Sequence, residues 1–522
     1  MAYIILLLAT FLRLYRLQFG QWRNDEEIIW LHALRAVAAR QFPWVGIPSD
    51  LGIANGPGQM LPVLPAVALG TPYLAYVLVA SLNVLAVAAL YRLGRLWGGA
   101  ALGLASAAIY ATSPWAVIYS RRLWGNDMLA PFVVLFVTAL WLFVARRQRW
   151  RLVAVAVWLA LLLQMYIAAI VQLVVLAVGL VLGAARSGRQ RQRLALPSLV
   201  AMLTFVALTS GYGAQAFLGH VTDLTRAVRD TRAATPQPVG LPNRGGFAFL
   251  LQSLQSGGYQ FYAQHAAQWP ESLQGWLAAG NDLALLFFGA GLVFLVLQCV
   301  FNLSKSRPRD VAAPLLLLTW LLAMPVALLA HDAPVCACYL LPSYPAQYLV
   351  MGLGAVTIGG LLTRLVALAA ATGHRAAVAT VSPRRNECDT HRPLAPVRSA
   401  GPWLSGLLVG GLLLTQGSVA LPFFSGIAQY WPADQYGLPY VWHSRIVDAV
   451  AAAWRPGMAI VVSGHGELDG VLRDEVATRL PAGNPRIVDD RLWLALPGSG
   501  QQPMLVLLTP GGSVAHDTLR AL

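Results

Sequence analysis

Three consecutive carboxylates, Asp25-Glu26-Glu27, stand a few residues beyond the first apolar run of the chain. Unpaired charge close to lipid is costly, so acidic side chains placed there call for a partner or a task. A carboxylate within reach of a hydroxyl can take its proton in the transition state, an effect worth about 10²–10⁴ in rate. Further along, Tyr119-Ser-Arg-Arg-Leu-Trp-Gly-Asn-Asp127 sets Arg121 and Arg122 beside Asn126 and Asp127. A guanidinium binds phosphate through a planar fork of N–H donors. His331 and Asp332 open a third polar turn, just before Tyr339 and Pro342. A base for a hydroxyl and a cation for a departing phosphate are the chemistry these types suit. Each group alone also has a plain structural reading. The acids would serve in a solvated loop or a helix first turn, and the arginines would anchor a helix end among lipid headgroups.

What positions them is a membrane. The chain has 522 residues, 57% hydrophobic and 11% charged, where a soluble domain carries about a quarter charged. Apolar stretches of about 18–22 residues recur, the length a bilayer demands. We read spans near 2–17, 72–91, 99–118, 129–145, 152–166, 167–183, 195–213, 281–301, 312–330, 339–362 and 403–423. Basic connections fall on one side: Arg92 and Arg95, Arg146 to Arg151, Arg186 to Arg193, and Lys305 to Arg309. By the positive-inside rule that side is cytoplasmic. The net charge of +15 is thereby a topology signal and not a nucleic-acid footprint. Eleven spans put the N-terminus inside and the three polar turns outside. No small-residue cleavage site follows the first helix, which reads as retained.

The expected fold class is an all-α polytopic membrane protein with a small extracytoplasmic α/β C-terminal domain. A transmembrane domain over 1–423 has outer loops at 18–71 and 214–280 and a cytoplasmic stretch at 364–402; a second domain covers 424–522. In the first loop, 28–40 is amphipathic, and 57–71, with Pro57, Pro62 and Pro65, suits an interfacial or re-entrant helix. The second loop carries Tyr259, Phe261, Tyr262, His265 and Trp269. In the tail, 459–462 and 504–508 read as buried strands flanking a helix at 467–480, and the Ser463-Gly464-His465-Gly466 turn could cradle a phosphate. Cys299 lies in a span and Cys388 in the cytoplasmic stretch. Cys336 and Cys338 flank one residue, a spacing that strains a mutual disulfide. With His331 and Asp332 they are also candidate metal ligands, weighed against a loop with small buried thiols.

Arg13-Leu-Tyr-Arg-Leu17, Trp22 and Asp25-Glu26 resemble the opening of GT-C fold glycosyltransferases, in particular the protein O-mannosyltransferases and ArnT-like aminoarabinose transferases. Ser113-Pro114 with Tyr119-Ser-Arg-Arg122 and Asn126-Asp127 resembles the second outer motif of that family, and Tyr339-Leu-Leu-Pro342 its late one. The likeness covers about 1–150 and 331–355.

The resemblance implies a multipass cell-membrane enzyme with an extracytoplasmic active site. It would take a sugar from a polyprenyl-phosphate donor, with inversion, and pass it to a lipid, glycan or protein acceptor. Asp25 would be the base and Glu26 its aid. Arg121 or Arg122 would meet the donor phosphate. Asp127 is a further acidic position, with Glu27, His331, Asp332 and Tyr339 as auxiliary candidates. A divalent cation is neither required nor excluded. Against this stands a transporter or flippase of lipid-linked glycans, although transporters keep their charges near the bilayer midplane. A non-catalytic envelope assembly protein is the other rival.

Overall fold

A computed structural model describes residues 1–47, 55–187, 194–234, 240–255, 271–305, 308–331, 335–373, 402–427, 438–463, 476, 480, 485–488 and 504–508. Asp332, the aromatics at 259–269, the 464–466 turn, Cys388 and most of the expected 467–480 helix lie outside the described residues.

The order begins α1 (Ala2–Leu14), β1 (Gln21–Trp22), α2 (Asn24–Ala39), α3 (Val63–Ala68), α4 (Pro72–Gly98), α5 (Ala100–Thr112), α6 (Pro114–Tyr119), α7 (Leu129–Arg146) and α8 (Arg151–Met165). It continues with α9 (Gln172–Ser187), α10 (Ala195–Ala234), α11 (Gly245–Gln252), α12 (Glu271–Ser304), α13 (Pro308–Ala327), α14 (Tyr344–Gly373) and α15 (Pro402–Ile427). The tail adds β2 (Leu438–Pro439), α16 (Tyr440–Ala453), β3 (Ala459–Ser463), β4 (Arg486–Val488) and β5 (Met504–Leu508).

Every expected span is helical. Among the described residues eight helices are long and apolar enough to cross a membrane, and Ala2–Leu14, Ala100–Thr112 and Arg151–Met165 are shorter apolar helices. The helical core is one continuous apolar cluster, with α12 packed on α14, α4 on α5, and α8 on both α7 and α10. The 57–71 segment folds as a 3-10 turn, Pro57–Met60, followed by the six-residue α3.

Several boundaries differ from the expectation. The 99–118 span is two helices, because Pro114 has no N–H to continue α5 and instead starts α6 at its first position. The amphipathic stretch begins at Asn24, so the acidic trio is its first turn, where carboxylates oppose the helix dipole favourably. α10 runs on to Ala234, which makes the start of the 214–280 loop helical. Tyr339 sits in a 3-10 turn, Ala337–Leu340, ahead of α14 and not within it.

Cys336 and Cys338 are joined as a disulfide, their Cα atoms 5.2 Å apart. That bond removes two thiols from the candidate metal ligands. In the tail, β3 runs parallel to both β4 and β5, in the order β4-β3-β5. β1 pairs antiparallel with β2, Gln21 opposite Pro439 and Trp22 opposite Leu438.

Candidate functional site

The site is built where α1 stops. After Leu14 the backbone turns through Arg16 at φ +50°, a left-handed conformation uncommon for a residue with a Cβ. Arg121 holds that turn. Its guanidinium donates to the carbonyls of Leu12 at 3.3 Å, Tyr15, and Arg16 at 2.7 Å, and it lies 3.7 Å from the centre of the Phe424 ring. The Leu12 carbonyl is one that the end of α1 leaves open, and the Arg16 carbonyl also accepts the Phe19 backbone N–H at 3.0 Å.

Arg13 does the converse. Fully buried on α1, it donates to the carbonyl of Ala111 at 2.9 Å and that of Tyr110 at 3.3 Å. The Tyr110 carbonyl is the acceptor a helical N–H at position 114 would have used, and Pro114 has none.

From Arg16 the chain passes β1 and reaches Arg23, which precedes α2. Glu26 reaches back from the third helical position, and its Oε2 accepts the Arg23 backbone N–H at 3.0 Å. Its other oxygen lies 3.8 Å from Nε of Arg122, and the same Nε is 3.2 Å from Oδ2 of Asp127. Glu26 is 1% exposed, Asp127 2% and Arg122 8%, so the three form a buried ionic cluster. Glu26 Oε1 and both Asp127 oxygens accept no hydrogen bond among the described residues. Their tie to Arg122 is therefore charge attraction without aligned donors. Burial pushes the Glu26 carboxyl up to about 7; Arg122 pulls against that shift and Asp25 adds to it.

Other contacts hold the cluster. The Arg122 guanidinium rests between the rings of Tyr119, at 5.0 Å, and Trp124, at 5.1 Å. Asn83 on α4 donates to the Asp127 carbonyl at 2.9 Å, and Asn126 reaches the Cys338 carbonyl at 3.5 Å. Gly125 lets this turn approach: a Cβ there would run into the Met165 carbonyl oxygen and lie 2.8 Å from Oε1 of Gln59.

The structure thus brings Glu26, Arg122 and Asp127 together. Asp25, half-buried, and Glu27, buried, share the first turn of α2 with Glu26. Arg121 is spent on backbone carbonyls. His331 and Tyr339 lie side by side, ring centres 6.0 Å apart. The 3-10 turn of Tyr339 joins the cluster through the Asn126 contact to Cys338. Among the described residues no three of His, Cys, Asp and Glu come close enough to hold a metal ion.

Sequence reading missed Gln59, whose amide is buried with neither polar atom hydrogen-bonded among the described residues. It also missed Asn83. A lone amide in an apolar stretch was the only signal for either.

No family model matches the sequence, and no curated protein matches it. Solved structures do. ArnT from Cupriavidus metallidurans in the apo state aligns over 100% of this chain and 93% of its own, with TM-score 0.53 and 16% identity. The same protein bound to undecaprenyl phosphate aligns over the same shares, with TM-score 0.52 and 17% identity. An oligosaccharyltransferase from Archaeoglobus fulgidus aligns over 93% of this chain and 63% of its own, with TM-score 0.48 and 13% identity. The ArnT alignments show that the chain has the GT-C membrane fold expected from its outer motifs.

Proposed function

We propose that this chain is a membrane glycosyltransferase that moves a sugar from a polyprenyl-phosphate donor to an acceptor hydroxyl at the extracytoplasmic face. The observation that carries the reading is Arg122, held between buried Glu26 and Asp127 beside the half-buried Asp25. Undecaprenyl phosphate in one of the ArnT structures supports the donor class, and the basic connections on the opposite side support the orientation. On this reading residues 1–423 carry the transfer and 424–522 form a second, extracytoplasmic domain.

Asp25 takes the proton of the acceptor hydroxyl. The freed oxygen attacks the anomeric carbon on the face opposite the phosphate, a C–O bond forms, and the bond from that carbon to the phosphate oxygen breaks. Polyprenyl phosphate leaves, and the configuration inverts in the one displacement. The negative charge gained by the leaving phosphate falls to Arg122, a charge effect that a water-poor site strengthens. Arg121, committed to three carbonyls, ties the turn after α6 to the end of α1. Glu26 governs the charge around Arg122: with its proton on, the guanidinium has less carboxylate charge against it and more attraction left for phosphate.

The test is transfer from a panel of radiolabelled polyprenyl-phosphate sugars, in membranes carrying wild-type protein or Asp25→Asn at equal expression. A fall of about 100-fold or more supports Asp25 as base. Unchanged transfer moves that role to Glu26 or Glu27. No transfer from any donor, with glycan-lipid translocation present, overturns the reading in favour of a flippase.

A further inference from the structure

The segment leading into the site is gripped by the tail, which the transfer chemistry does not use. β1 ends at Trp22, three residues before Asp25, and pairs with β2. The Tyr440 backbone N–H donates to the Gly20 carbonyl at 3.0 Å. The Tyr440 ring lies 5.1 Å from Trp22 and, edge-on, 5.3 Å from Tyr73 of α4. One helical turn on, His443 is fully buried, its ring 6.5 Å from that of Trp22.

From the other side, the Tyr76 hydroxyl donates to the Gln21 carbonyl at 2.6 Å. A Cβ on Gly20 would lie 2.7 Å from the Tyr76 ring, so only glycine admits this approach. Residues 20–22 are thus clasped between α4 and α16. The next residue, Arg23, gives its N–H to Glu26. A shift of Trp22 is passed directly to the first turn of α2.

We propose that Tyr440 and His443 are positioning residues: acting through Trp22, they set Asp25 and Glu26 against Arg122. The inference rests on the glycosyltransferase reading for its effect on rate, and on geometry alone for its effect on α2. A two-residue strand pair is marginal by itself, so the aromatic contacts supply its rigidity. Misplacing a catalytic group by about 1 Å can cost about 10²-fold in rate. Arg122 also rests on the rings of Tyr119 and Trp124, and Asn83 holds the Asp127 backbone, so donor binding should survive a loosened α2.

The experiment compares full-length wild type, Tyr440→Ala, Tyr440→Phe and His443→Ala in detergent and in membranes. Hydrogen exchange at the backbone amides of residues 24–30 is measured first, because it needs no substrate. Faster exchange there in Tyr440→Ala and His443→Ala, restored in Tyr440→Phe, is expected. Unchanged exchange in Tyr440→Ala overturns the inference whether or not the protein transfers sugar. With an active wild type, kcat of Tyr440→Ala should fall about 10-fold or more while KM for a polyprenyl-phosphate sugar stays within about 2-fold. Wild-type kcat in Tyr440→Ala overturns the inference and leaves the transferase reading standing. An inactive wild type with faster exchange in the variants sinks that reading and retains the clasp.

Discussion

Arg13 and Arg121 close each other's helices. Arg13 leaves α1 to hold the carbonyls of Tyr110 and Ala111 at the α5–α6 break, and Arg121, two residues past α6, returns to hold Leu12, Tyr15 and Arg16 at the end of α1. Each guanidinium is fully buried, and carbonyl acceptors offset its desolvation. The exchange staples the segment that leads to Asp25 onto the segment that leads to Arg122. Glu26 and Arg122, 96 residues apart in sequence, are thereby brought to one place.

Arg121→Gln is expected to destabilise the fold without touching donor recognition. Three carbonyls lose a charged donor; that of Arg16 keeps the Phe19 N–H, and each buried acceptor left open costs about 1–3 kcal/mol. The thermal midpoint in detergent should drop by several degrees or the yield of folded protein collapse. KM for the polyprenyl-phosphate sugar in the folded fraction should stay at the wild-type value. A raised KM with an unchanged midpoint would instead give Arg121 the phosphate.

Arg122→Gln should do the opposite. The side chain keeps hydrogen-bonding capacity and loses the charge that faces Glu26 and Asp127. On the proposed mechanism kcat/KM falls by about 10²–10³, the scale of removing one preorganised stabiliser of developing charge. Fold stability should change less than in Arg121→Gln, because the two carboxylates can relieve their repulsion by taking up a proton. Sugar transfer and thermal unfolding, measured on both variants, separate the adjacent arginines.

Much of this was legible in the sequence. Span lengths follow from apolar runs, and the tail strands were visible as short buried runs at 459–462 and 504–508. The motif residues Glu26, Arg122 and Asp127 were candidates before any coordinates. What was not legible depends on contacts distant in sequence. No local signal says that Arg121 turns to the carbonyls of α1 while Arg122 turns to carboxylates, since the two are identical in type and adjacent. Nor does any pattern near Trp22 announce Tyr440, more than 400 residues away. The break at Ser113 was readable from Pro114, yet the apolar run on both sides masked it as one span.

Glu26→Gln should remove a pH dependence of stability. The Glu26 carboxyl is raised to about 7 in the folded protein, chiefly by burial, from an ordinary value near 4.5. Below about 4.5 it is protonated folded or unfolded. Between about 4.5 and 7 the unfolded chain gives up the proton and the folded one keeps it, so the unfolded state binds fewer protons and stability falls as pH rises. The full difference approaches about 3 kcal/mol at about 1.4 kcal/mol per pKa unit. The wild-type thermal midpoint should therefore decline over that window by more than that of Glu26→Gln, and the two should converge at low pH. Parallel curves would show that Glu26 keeps an ordinary carboxylate in the fold.

Gly125→Ala should disable the site through one methyl group. The added Cβ would meet the Met165 carbonyl oxygen, which is backbone at the end of α8, and would lie 2.8 Å from Oε1 of Gln59. The amide can swing aside, but the carbonyl cannot move without shifting the turn that joins α8 to the following 3-10 helix at Ile167–Val171. The cheaper response is for residues 125–127 to back away, which draws Asp127 from Arg122 and strains the Asn83 contact to the Asp127 carbonyl. Loss of about 10²-fold in kcat/KM is expected for an Asp127 displaced by about 1 Å. The Gly125→Ala, Gln59→Ala double variant should recover little, because Met165 and not Gln59 is the obstacle. Sugar-transfer kinetics on the single and double variants decide it: recovery to near wild type in the double variant would place the conflict at Gln59.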